Sequence, residues 1–177
     1  MSRESMRVIG PDDRDQADKN FGRYQTLGEL IIKTGHPEFS DKLNYKRQLD
    51  LSSGVQTITY QHDGATFTRE SFCSYPDRVL VLNFSADKPA NQNLSLTFNT
   101  PHIIQPTADK NVFSASGKVD NNGLNIEMRI GVLNQGGDVS VSGNGIEVKG
   151  SDSVSFVVVS GPEFKMAITL ISWCVTF

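Results

Sequence analysis

The 177-residue sequence has no apolar run long enough for a helical membrane span. Its most hydrophobic stretches, 154–159 and 167–177, fall well short of the roughly 18 residues such a span needs. It also lacks a basic surplus, with 17 Lys and Arg against 20 Asp and Glu and a net charge of −3. Near the amino terminus Arg3, Arg7, Arg14 and Arg23 are interleaved with Glu4, Asp12, Asp13, Asp15 and Asp18, so the local field cancels. That argues against a nucleic-acid partner, whose phosphates call for a cationic stripe. Cysteine is scarce: Cys73 and Cys174 have neither CxxC nor zinc-knuckle spacing, which excludes a cysteine-based metal site. They read as two buried free thiols, with one long-range disulfide as the alternative. No phosphate-binding pattern, GxxxxGK[ST] or GxGxxG, joins a strand to a helix. The opening residues Met1-Ser-Arg-Glu-Ser-Met-Arg7 lack the apolar core of a signal peptide.

What is present is a period of two. A chain of this length suits one domain with a real core. From Leu27 onward short alternating runs are punctuated by turn residues every 8–12 positions or so, which predicts an all-β fold, an antiparallel two-sheet super-sandwich of about ten strands with little helix. Asp63-Gly64 marks a two-residue hairpin between Val55–Gln61 and Thr66–Tyr75. Tyr75-Pro76-Asp77 turns into Arg78–Phe84, apolar almost throughout, as in a mid-sheet strand covered on both faces. Leu124, Ile126, Met128, Ile130 and Val132 hold every even position of one strand and are expected to share a buried face. Residues 1–20 read as a polar arm or one short helix within Gln16–Tyr24, residues 21–160 as the sandwich, and 161–177 as an atypical apolar tail that packs on another chain or a sheet edge.

Few residues invite chemistry. His36, His62 and His102 each sit beside turn residues and read as solvent-exposed hairpin tips, not as a metal or base cluster. Glu29, Asp50, Glu70 and Glu127 lie on the polar parity of their strands, where carboxylates are solvated. Ser71-Phe-Cys73-Ser74 forms no nucleophile elbow. No catalytic, cofactor-binding or metal-binding residue is therefore assigned, and no cofactor is expected.

Three ordered segments carry a resemblance: Tyr24-Gln-Thr-Leu-Gly-Glu-Leu30; Tyr45-Lys-Arg-Gln-Leu-Asp-Leu51 followed by Gly54-Val55; and Phe67-Thr-Arg-Glu-Ser-Phe-Cys-Ser-Tyr-Pro-Asp77 leading into Val79-Leu-Val-Leu82. Together they resemble the N-terminal β-sandwich domain of the alpha-L-fucosidases of glycoside hydrolase family ninety-five, densely from Phe21 to about Ala90. The resemblance implies a scaffold in which Leu49, Leu51 and Val55 pack inward. It also implies a missing partner, the catalytic (α/α)6 barrel, which bears the acid and the base-assisting residues; no position here matches them. By the same resemblance the protein is periplasmic or extracellular, and the chain is expected to be a fragment, truncated at both ends, with one sheet edge left unprotected.

The expectation is thus a non-catalytic N-terminal accessory domain of a fucosidase-like glycoside hydrolase acting on fucosylated glycans. The alternatives are a free-standing carbohydrate-binding sandwich, with Tyr24, Tyr45, Tyr60 and Trp173 as candidate sugar platforms, and an inactive remnant that forms homo-oligomers through an exposed edge.

Overall fold

A computed structural model describes residues 26–36, 44–119 and 124–161. The arm at 1–20, the short helix at 16–24, the turn at 121–123 and the tail beyond 161 lie outside the described residues. Among those described there are twelve strands and no helix: β1 (Glu29–Lys33), β2 (Lys46–Asp50), β3 (Val55–His62), β4 (Ala65–Ser74), β5 (Val79–Ala86), β6 (Gln92–Asn99), β7 (Ile103–Asp109), β8 (Val112–Lys118), β9 (Asn125–Gln135), β10 (Asp138–Ser142), β11 (Gly145–Ser151) and β12 (Ser153–Gly161). They form two antiparallel sheets, a small one ordered β1-β6-β11-β10 and a large one ordered β2-β3-β4-β5-β12-β9-β8-β7. The all-β sandwich expected from the alternation is the observed fold.

The strand that the alternation does not announce is β7. Pro106 obscures β7 in the sequence, because proline cannot donate to a central ladder; β7 lies at the sheet's edge, where a missing donor is tolerated. The Asp63-Gly64 turn is as anticipated. Both residues have positive φ, 47° and 70°, and His62 pairs directly with Ala65, the geometry of a tight hairpin whose twist matches its strands.

The core lies between the sheets. Leu94, Leu96, Ile146 and Val148 of the small sheet meet Phe84, Phe113, Ile130, Val132, Val154 and Phe156 of the large one, with Phe84 edge-on to Phe156. Pairing registers show which large-sheet residues share that inner face. One row runs Leu49, Gln56, Ser71, Leu82, Phe156, Val132, and a second runs Arg47, Ile58, Arg69, Phe84, Val154. Four strands cannot cover eight, so β2, β3 and the neighbouring part of β4 extend beyond the small sheet.

That overhang corrects several expectations. Leu49 is 58% exposed and Leu51 88%, and Val55, on the opposite parity to Leu49, is only half-buried. Cys73 is a free, exposed thiol, because its row leaves the core one strand after Leu80; Cys174 lies outside the described residues. Arg78–Phe84 does yield a mid-sheet strand, β5. Only its inner face meets the second layer, however, and Val79 and Val81 are half-buried. Ile126, Met128, Ile130 and Val132 share the buried face as expected, but Leu124 precedes β9 and is 51% exposed.

Candidate functional site

The fold scatters the four strand carboxylates. Glu29 opens β1 in solvent. Asp50 turns back on its own β2–β3 turn and accepts bonds from Ser52 N (2.9 Å), Ser52 Oγ (2.8 Å) and Ser53 Oγ (2.9 Å). These bonds, led by that from the Ser52 hydroxyl, hold its carboxyl below the usual range. Glu70 and Glu127 both lie on the outer face of the large sheet, half-buried. Glu70 accepts from Asn83 Nδ2 (3.3 Å), and Glu127 is tied to Arg129 through Nε (2.6 Å). Strands β5 and β12 separate them, so they stand at least three strand spacings apart, roughly 14 Å. A glycosidase pair works at about 5–10 Å.

A second grouping was not anticipated. On β3 and β4, Tyr60, His62, Phe67 and Arg69 share the inner face, and the chain leaving β1 lays His36 over them. The His36 ring centroid is 4.6 Å from that of His62 and 4.4 Å from that of Phe67, and Phe67 stacks on Tyr60 at 5.3 Å. The Arg69 guanidinium lies 4.9 Å from the Tyr60 ring centroid, and its Nη2 donates to Tyr60 Oη (2.8 Å) and Thr34 Oγ1 (3.2 Å). Arginine only donates, so Tyr60 Oη accepts from it; Oη also lies 2.7 Å from His36 Nδ1, to which the phenol can give its own proton. That arrangement needs neutral His36. Burial, then the His62 and Arg69 charges, push His36 below the usual imidazole value, with Asp63 opposing.

The reading of the histidines as exposed tips is therefore corrected. His36 and His62 are half-buried partners. His102 is 7% exposed, and its Nε2–H donates to Thr26 O at 3.0 Å, holding the approach to β1 together with Thr100 Oγ1, which donates to Leu27 O (2.6 Å). Parity held a usable signal: Tyr60-x-His62 and Phe67-x-Arg69, read across the Asp63-Gly64 hairpin, already fall on one face. His36 arrives from a different sheet, and no local pattern announces it. Among the described residues no group of three or more His, Cys, Asp and Glu could hold a metal. Of the proposed sugar platforms, Tyr60 is buried and Tyr45 half-buried against the same cluster; Tyr24 and Trp173 lie outside the described residues.

Where Leu30 of β1 faces Leu80, Met128 and Val158 on the inner face of the large sheet lies a cleft of about 560 Å3, also lined by Cys73, Tyr75 and Arg78. Tyr75 there is 92% exposed.

Comparison with known proteins places these features in context. Residues 3–167 match the family described as Glycosyl hydrolase family 65, N-terminal domain. The chain is 30% identical over 79 residues to Alpha-L-fucosidase 2 of Arabidopsis thaliana, covering 44% of this chain and 9% of that protein. It is 42% identical over 67 residues to Probable alpha-fucosidase A of Aspergillus niger, covering 38% of this chain and 8% of that one. In fold it is similar to a putative kojibiose phosphorylase from the human microbiome, with a TM-score of 0.56 and 13% identity over 84% of this chain and 25% of that one. The two fucosidase matches agree with the motif resemblance to an N-terminal glycoside hydrolase sandwich, without separating family ninety-five from family sixty-five, and they span less than a tenth of those proteins' length.

Proposed function

The chain belongs to the family of glycosyl hydrolase family 65 N-terminal domains, and from that premise we propose that it serves as the non-catalytic accessory sandwich of a fucosidase-like hydrolase acting on fucosylated glycans. Its partner in this reading is a catalytic barrel, and its setting the periplasm or the extracellular space. The observation that carries the reading is the separation of Glu70 from Glu127 across β5 and β12, each held by its own neighbour. Glycoside cleavage requires an acid and a base or nucleophile facing one anomeric carbon. The purified chain is expected to release no p-nitrophenol from p-nitrophenyl alpha-L-fucoside above a buffer control. Turnover abolished by Glu70→Gln or Glu127→Gln would overturn the reading.

A further inference from the structure

We propose that the cleft between Leu30 and the inner face of the large sheet is the docking site of this chain's own apolar tail, residues 167–177, folded back from the end of β12. The inference goes beyond the accessory-domain reading and does not depend on it.

The end of β12 puts the tail within reach. Ser160 belongs to the lining of the cleft, and the next residue, Gly161, is the last of the strand. Strand β12 pairs with β5 only as far as Val158 opposite Leu80, whereas Val159, Ser160 and Gly161 pair with β9. The chain therefore leaves the sheet at the wall of the cleft itself. Gly161-Pro162 is a turn signal. The five residues 162–166 span at most roughly 17 Å, against the ~10 Å that separates packed sheets, so their length suffices to bring the tail back across the inner face. The tether makes the encounter intramolecular, so a small apolar contact is enough to hold it.

The two surfaces also match in chemistry. Leu30 and Leu80 are half-buried above Met128 and Val158, which leaves apolar surface in a cleft of about 560 Å3 for a further layer. Residues 167–177 contain no charged side chain. From Ile171 onward they alternate: Ile171, Trp173, Val175 and Phe177 are large and apolar, with Ser172, Cys174 and Thr176 between them. In an extended segment those four share one face and the small polar groups the other, as a strand laid over an apolar floor requires. All but the first residue of this tail lie beyond the stretch that matches the family, which ends at 167.

The test uses the full chain with Cys174→Ser, in which Cys73 on the cleft lining is the one remaining thiol and Trp173 the one tryptophan. Cys73 reacts with a disulfide reagent such as dithionitrobenzoate only when it is accessible. Adding Ile171→Asp and Val175→Asp should speed that reaction about tenfold or more and shift Trp173 emission to the red, while the conservative pair Ile171→Val, Val175→Ile keeps both readings. Equal Cys73 rates with and without the two aspartates would overturn the proposal. So would a shielded Trp173 beside a fully reactive Cys73, which places the tail on another face, and so would protection that is lost on dilution, which places it on a second copy.

Discussion

A single pairing row crosses two very different parts of the large sheet. At one end Phe156 and Val132 have no exposed surface; two strands beyond Phe156, Ser71 is half-buried, and two further on Leu49 stands mostly in water. All these side chains point the same way. What differs is the layer opposite: β6 and β11 lie over one end of the row, and no described strand lies over the other. Parity decides the face of a residue, whereas burial depends on how wide the facing sheet happens to be.

The largest test of that contrast is to remove a side chain from the covered half. Phe156→Ala should cost about 3–5 kcal/mol in urea unfolding, through lost burial plus the cavity left behind. A loss below about 1 kcal/mol would show that the small sheet is not packed where it stands.

The boundary between the halves is where pH should act. His36 titrates below 6.5 in the fold because burial and the charges of His62 and Arg69 disfavour its cation. As the pH falls, the unfolded chain binds that proton first, so this contribution is whole above about 6.5 and fades as the pH drops toward the lower folded value. The unfolding midpoint should therefore fall between about pH 8 and about pH 5, and fall less in His36→Gln. Equal slopes in the two proteins would remove His36 from the account.

The smallest effect belongs to the overhang. Leu49→Ser should change stability by less than about 0.5 kcal/mol, as for an exposed side chain. A cost near that of Phe156→Ala would mean that the two halves are covered alike.

Much of this was legible beforehand. The strands other than β7, the Asp63-Gly64 hairpin and the alternating face from Ile126 to Val132 all follow from local period and turn chemistry, which a sequence displays directly. The fate of Leu49 and Leu51 does not, because alternation records no width for the opposing sheet. Nor does the His36 cluster: Tyr60 and Arg69 are nine residues apart and joined by a hairpin, but His36 reaches them from the other layer. The outward facing of Glu70 and Glu127 was readable, since each lies on the polar parity of its strand. Their distance apart depends on β12 having slipped between β5 and β9.

That insertion also sets an order of assembly. Without β12 the large sheet is two separate meanders, β2–β5 and β7–β9, each built from neighbours in sequence and so quick to form. The last described strand joins them. It enters through a joint of one residue, Asp152, fixed by its N–H to Gln135 O (2.8 Å) and by its carboxylate, which accepts from Ala90 N (2.7 Å). Just before it, buried Ser151 donates to Gly136 O at 2.9 Å. Because β11 completes one layer immediately before β12 completes the other, both sheets close within the same short stretch of chain. During synthesis the two described sheets therefore stay incomplete until residues 145–161 have emerged, and both are finished together.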